Sequence, residues 1–136
     1  MIGISKEHLA TMMEAGYIYI GMQRYKEAKE LFEGLCVIAP DSDVPLVAMG
    51  NVEFCQGKLK KAISTYQKAL KKDPESVFAR VYLGEALVFA GKKEEGVELL
   101  NSVAHSKGGA SDFAQALLDA IEKGFEPEKA PKIKKV

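Results

Sequence analysis

The chain has 136 residues, of which 47% are hydrophobic and 28% charged, and its 19 basic residues balance its 19 acidic ones. These globular values exclude collagen-like and wholly disordered chains, and the lack of a basic surplus argues against a nucleic-acid partner. No apolar run approaches the roughly 20 residues of a membrane-spanning helix, and the start lacks the apolar core of a signal peptide. We therefore expect a soluble cytoplasmic protein that does not insert into membranes.

The hydrophobic pattern predicts an all-α chain. No window alternates with period 2, so no strand is expected. Asp43, before Val44-Pro45, and Ser111, after Gly108-Gly109, are predicted helix N-caps. The seven predicted helices lie near residues 7–21, 24–38, 44–56, 58–72, 76–90, 92–105 and 111–123.

Several residue types recur at an interval of 34, which indicates a repeat of about that length. The coincident sets are Gly16, Gly50 and Gly84; Phe32, Tyr66 and Leu100; Ala28 and Ala62; Tyr25 and Leu59; Gly57 and Gly91; and Pro40 and Pro74. Glycine inside a helix costs about 1 kcal/mol relative to alanine, so the first set predicts close approach of a neighbouring helix. The aromatic residues are expected to fill the space between units. Gly57 and Gly91 are expected to end helices in the left-handed conformation.

This pattern resembles the tetratricopeptide repeat over roughly residues 9–107. The resemblance implies a right-handed α-solenoid occupying residues 1–124, with repeats at about 9–42, 43–76 and 77–108 and a C-terminal capping helix at about 111–123. The third unit departs from the motif, with Gly96 where alanine is expected and Gly108 where proline is expected. Residues 125–136, rich in lysine and proline, are predicted to form a flexible tail.

Candidate catalytic and metal-binding residues are few. His8 and His105 lie near opposite ends of the chain, and neither has a partner at metal-ligand spacing. Cys36 and Cys55 form no C-x-x-C motif and are interpreted as small buried hydrophobic residues. We therefore expect no enzyme activity, no catalytic residue, no metal site and no cofactor.

The tetratricopeptide resemblance implies a peptide-binding groove lined by the first helix of each unit. An apolar concave surface is typical of a binding site, although a second copy of the chain or the capping helix would also account for it. Asn51 and Glu85 are expected to bond to the backbone of a bound peptide. The predicted groove residues are Met13, Tyr17, Ile20, Val47, Asn51, Phe54, Phe78, Val81, Glu85, Val88 and Phe89.

The same positions argue against one use of the repeat, the binding of the C-terminal carboxylate of heat-shock proteins. Repeats with that function carry Lys, Asn and Arg in the groove, whereas Met13, Tyr17, Phe78 and Tyr82 stand at those positions here. Only Asn51 matches the clamp. An extended peptide with spaced apolar anchors is the better expectation.

Longer stretches are similar to the tetratricopeptide-type chaperones of bacterial type III secretion systems. These stretches are residues 21–28, 31–40, 54–59 and 62–66. The resemblance implies a bacterial cytoplasmic protein that holds a segment of a secreted translocator protein in its groove before export, without ATP or catalysis. Two alternatives stay open: a co-chaperone that binds the needle subunit of the same apparatus, and a general tetratricopeptide scaffold joining two folded proteins. A homodimer also stays open.

Overall fold

The computed structural model describes residues 4–127, and within that range the protein has seven helices and no strand. All seven predicted helices are confirmed, with ends within two residues of those expected. The helices are α1 (Lys6–Gly21), α2 (Tyr25–Ile38), α3 (Val44–Cys55), α4 (Leu59–Lys72), α5 (Val77–Phe89), α6 (Lys93–Val103) and α7 (Gly109–Glu122).

Two serines that the sequence analysis did not single out cap helices. The Ser5 hydroxyl accepts a hydrogen bond from the His8 backbone N–H at 3.1 Å, and the Ser76 hydroxyl accepts one from Ala79 at 3.2 Å. Each bond satisfies a backbone donor that has no partner within its own helix. These caps set the starts of α1 and α5.

Of the two predicted N-cap positions, Asp43 is confirmed and Ser111 is not. Asp43 is the residue before α3, but its side chain accepts no cap bond; instead the Ser42 hydroxyl accepts from the Val44 backbone N–H at 3.2 Å. Helix α7 begins two residues earlier than expected, after Gly108 at φ 118°. Ser111 is therefore inside the helix, where its buried hydroxyl has no hydrogen-bond partner among residues 4–127. The prediction was wrong because Gly108 permits a backbone turn that no side chain has to cap.

The first helix of each unit ends in the same way. Gln23, Gly57 and Gly91 follow α1, α3 and α5 with φ of 61°, 78° and 87°. The predicted left-handed conformation of the two glycines is confirmed, and Gln23 adopts it without being glycine. The next residue then bonds back to the helix, as Lys58 N–H does to Glu53 at 2.9 Å, which satisfies an end carbonyl.

Within each unit a large side chain of the second helix lies on the glycine of the first. A Cβ added to Gly50 would overlap the Tyr66 ring, and one added to Gly84 would come within 2.9 Å of Leu100. Phe32 covers Gly16 in the same manner. The aromatic residues therefore fill space inside their own unit in addition to the expected space toward the next unit.

The departure from the motif at Gly96 has a steric cause. A Cβ at this position would lie 2.6 Å from the Gly84 carbonyl oxygen and 2.6 Å from a methyl carbon of Val88. Ala28 and Ala62, at the same position of the first two units, are fully buried without such overlap. Helices α5 and α6 thus approach more closely than their counterparts, because glycine stands on both of them.

The seventh helix packs on α5 and α6, and its end repeats the pattern of the other first helices. Gly124 has φ 99°, and the Phe125 backbone N–H bonds to the Ala120 carbonyl at 2.9 Å. Helix α7 is thus the first helix of a fourth unit. It buries the last of three core clusters, which includes Ala114 and Ile121 of α7.

Candidate functional site

The first helices of the three units enclose a cavity of about 680 Å³. Helices α1, α3 and α5 all contribute to it, as expected for the concave face of the solenoid. Four predicted groove residues line it. The lining comprises Met13, Tyr17, Val47 and Phe78, together with Lys6, Leu9, Ala10, Glu14, Asp43, Val44 and Tyr82.

Large apolar side chains of this cavity remain in contact with solvent. Phe78 is 55% exposed, Val44 42% and Tyr17 41%. Met13 and Val47 form the floor and are almost completely buried. Since exposed apolar side chains gathered in a concave surface are typical of a binding site, this cavity is the first part of the candidate groove.

A second apolar line lies at the opposite ends of the same helices. The Phe54 and Phe89 rings meet edge to face at 5.3 Å between centroids, and Phe125 lies 6.1 Å from Phe89. We call Phe54, Phe89 and Phe125 the aromatic line; Ile20, partly buried on α1, precedes it. The composition of residues 125–136 places Phe125 in the predicted flexible tail. That placement was wrong at this residue, because the turn after α7 directs the ring onto the third core cluster.

The remainder of the predicted tail, residues 128–136, lies outside the described residues.

Between the cavity and the aromatic line runs a row of polar groups. The Asn51 amide N–H donates to the Tyr17 hydroxyl at 3.0 Å, and the Tyr66 hydroxyl donates to the Asn51 amide oxygen at 2.5 Å. Burial raises the pKa of Tyr17 and of Tyr66, so both stay protonated. We call Tyr17, Asn51, Tyr66 and Glu85 the polar row.

The role expected of Asn51 needs correction. Its oxygen and one of its amide hydrogens are used inside the protein, linking the first unit to the second. One amide hydrogen and one lone pair remain. Asn51 therefore acts first as an internal link that orients two tyrosine rings. The 34-residue spacing of Tyr17 and Asn51 was the signal that could have indicated this contact.

Glu85 extends the polar row into the third unit. It lies three residues after Tyr82 and four before Phe89, so it is on the same face of α5 as both. The side chain is partly buried, and desolvation raises the pKa of Glu85 to about 7. Burial raises the pKa of Tyr66, Tyr82 and Cys55, and the negative charge of Glu85 raises each of these pKa values further.

Two predicted groove residues belong instead to the core. Val81 is 1% exposed and Val88 3% exposed, and they pack in one cluster with Ala114 and Ile121 of α7. The prediction was wrong because α7 packs against that side of α5, so neither side chain lines the cavity.

The described residues include no group of three or more His, Cys, Asp or Glu side chains that could hold a metal ion. No helix in residues 4–127 is long and apolar enough to cross a membrane. Burial raises the pKa of the Cys36 and Cys55 thiols, which disfavours the nucleophilic thiolate.

Two family models match the chain. The tetratricopeptide repeat model covers residues 9–42, and a TPR repeat model covers residues 50–89. A search of curated protein sequences gives no match.

Solved structures of the same fold include bacterial chaperones. The Yersinia enterocolitica type III secretion translocator chaperone SycD has 20% identity and a TM-score of 0.72, with 86% of this chain and 92% of that chain covered. PcrH from Pseudomonas aeruginosa has 17% identity and a TM-score of 0.70, covering 88% and 96%.

Complexes of these two proteins are also among the matches: PcrH with the chaperone binding region of PopD, and SycD with a peptide of the translocator YopD. A eukaryotic structure matches as well, the Sgt2 TPR domain from Aspergillus fumigatus, with 20% identity, a TM-score of 0.60 and coverage of 98% and 93%. At these identities the likeness is one of fold.

Proposed function

We propose, since this chain belongs to the tetratricopeptide-repeat proteins, that it is a non-catalytic chaperone whose concave groove holds an extended segment of a secreted translocator protein. It acts in the bacterial cytoplasm before export of that client. The main observation in support is the three-part groove, in which the polar row is flanked by the cavity on one side and by the aromatic line on the other.

This arrangement suits a peptide in an extended conformation. Successive side chains of an extended chain point to opposite sides. A backbone laid over the polar row would therefore direct alternate side chains toward Phe78 and Tyr82 in the cavity and toward Phe54 and Phe89 in the aromatic line. With helices about 8–10 Å apart and about 3.3 Å per extended residue, roughly three client residues correspond to each repeat.

The comparisons support the class of client. SycD and PcrH share the fold over most of both chains; SycD has been solved with a peptide of the translocator YopD, and PcrH with the chaperone binding region of PopD. The apolar groove gives a physical reason for such a client, because a membrane-inserting segment is prone to aggregate before it reaches its target. Shielding such a segment requires an apolar contact surface and no catalytic step.

Site-specific cross-linking in the cells that naturally make the protein tests the proposal. A photoreactive p-benzoylphenylalanine replaces Phe78, which is 55% exposed at the cavity, or, as a matched control, Val37, which is 78% exposed on α2. We expect position 78 alone to capture a secreted protein with apolar, membrane-inserting stretches, through one continuous segment identified by mass spectrometry.

Other captures would contradict the proposal in different ways. Capture of a small helical needle subunit at position 78 would favour the alternative that the protein is a co-chaperone of that subunit. Equal capture of folded proteins at positions 37 and 78 would indicate a scaffold that does not bind its partners through the groove. Phe78→Ala should reduce the yield of the wild-type complex in a pull-down, because groove anchors typically contribute about 1–3 kcal/mol.

A further inference from the structure

Glu85 differs from the other members of the polar row in having no partner. Tyr17, Asn51 and Tyr66 are joined by hydrogen bonds, whereas Glu85 makes no hydrogen bond or ion pair with any residue of the range 4–127. It is nevertheless partly buried, between Tyr82 and Phe89 on α5. A desolvated carboxyl group without a partner is costly when charged.

The groups that face Glu85 offer no positive charge. Tyr66 from α4, Cys55 from α3 and Tyr82 from α5 itself are the titratable neighbours, and each is neutral in its ordinary state. No described side chain of α6 or α7 pairs with it. Burial alone raises the pKa of the carboxyl to about 7, so both forms are present near neutral pH.

A client segment would shift this balance. Covering the groove removes the water that still reaches Glu85, and this further disfavours the charged form. The neutral acid carries an O–H donor that a carboxylate lacks. Because an extended peptide has backbone carbonyl groups along its length, it supplies the acceptor for that donor.

We propose that Glu85 binds the client as a neutral carboxylic acid, donating a hydrogen bond to a backbone carbonyl oxygen, so that client binding takes up one proton and weakens as pH rises. This inference rests on the proposed function. The proton comes from solvent and returns there on release, so no other reactant is needed. Glu85 thus sets the register of the segment and makes its affinity depend on pH.

Isothermal titration calorimetry tests the inference with the full-length protein. The probe is a synthetic peptide, N-acetylated and C-amidated, spanning the client segment that cross-links at position 78. Its dissociation constant is measured at pH 6 and pH 8 in buffers of different ionisation enthalpy. We expect Kd to rise about tenfold between these values and up to one proton to be taken up at pH 8, the result for one carboxyl protonated only in the complex.

Variants separate Glu85 from any titration of the peptide itself. Glu85→Gln keeps a donor that cannot ionise, so its Kd should be nearly equal at the two pH values and close to that of wild type at pH 6. Glu85→Ala should bind more weakly at pH 6 and also lose the pH dependence. Far-UV circular dichroism checks that each variant is folded.

Each outcome has a distinct meaning. Binding that is weakened by Phe78→Ala but independent of pH would overturn the role of Glu85 and leave the chaperone proposal intact. Tighter binding at pH 8, abolished by Glu85→Gln, would overturn it in favour of a client cation paired with the carboxylate. Failure of the peptide to bind at either pH would refute the proposed function and this inference with it.

Discussion

Replacing Gly50 by alanine probes the contact on which each repeat is built. Gly50 lies in the middle of α3, and an added Cβ would come within 2.7 Å of the Tyr66 Cδ1 atom. Ordinary carbon–carbon contacts are about 3.5–4.0 Å. The Tyr66 ring has no room to retreat, because it is fully buried and its hydroxyl is held by Asn51.

The expected free-energy change follows from two opposing terms. Alanine gains about 1 kcal/mol over glycine inside a helix. Overpacking a well-filled core costs about 1–3 kcal/mol, and occasionally more. Since the overlap at Tyr66 is close to an ångström, we place the cost at the upper end and expect Gly50→Ala to reduce the free energy of unfolding by about 2 kcal/mol.

Urea denaturation followed by far-UV circular dichroism measures this change, and Gly34→Ala is the matched control. Gly34 lies inside α2 and is exposed, with nothing within 4 Å of an added Cβ. This variant should be stabilised by up to about 1 kcal/mol. A Gly50→Ala variant as stable as Gly34→Ala would refute the steric argument.

A double variant connects the effect to the ring. Tyr66→Leu places at this contact the residue type that covers Gly84 in the third unit, and it is combined with Gly50→Ala. The two substitutions should be less destabilising together than the sum of their separate effects, by about 1 kcal/mol. Simple additivity would show that the overlap is relieved elsewhere in the structure.

Four further variants test the site and its surroundings by the same urea assay. The pKa of Glu85 in the folded protein is about 7, higher than the value of about 4.3 in the unfolded chain. Protonation of Glu85 therefore contributes to the free energy of unfolding in full below the unfolded pKa, and this contribution is lost as pH rises through about 7. Wild type should accordingly be less stable at pH 8 than at pH 5, and an equal pH dependence in Glu85→Gln would contradict this assignment. Asn51→Ala leaves the buried Tyr66 hydroxyl without its acceptor and should cost about 1–3 kcal/mol; no loss would mean that water replaces the amide. Val81→Ala should cost about 2 kcal/mol as a core truncation, whereas Phe78→Ala should change stability by less than about 0.5 kcal/mol, and the reverse order would place Val81 in the groove.

Much of the fold is encoded locally and could be predicted. The 34-residue interval identifies the positions of the turns and of the small and large side chains in each repeat. The helix ends at Gly57 and Gly91 depend on a backbone conformation that glycine adopts without strain. The contact between Gly50 and Tyr66 likewise lies within one repeat, so the repeat motif alone predicts it. The repeats, their helices and the apolar character of the first-helix face were therefore predictable.

The candidate site was predictable only in part. Met13, Tyr17, Val47 and Phe78 line the cavity as expected, because they face the concave side by helical period alone. Val81 has an equally suitable position but packs against α7 and does not line the cavity. The period identifies a helix face and leaves open what lies against that face.

What only the tertiary structure decided concerns contacts between units. Helix α7 covers Val81 and Val88, and the turn after it places Phe125 beside Phe89. Asn51 forms hydrogen bonds with two tyrosines from different helices, while Glu85 forms no hydrogen bond or ion pair with any of residues 4–127. Local sequence determines dihedral angles and faces, whereas pairing and desolvation depend on how successive units rotate against one another. For this reason the sequence determined that the protein has an apolar groove, and the tertiary structure decided which of the polar groups in that groove remain without an internal partner among the described residues.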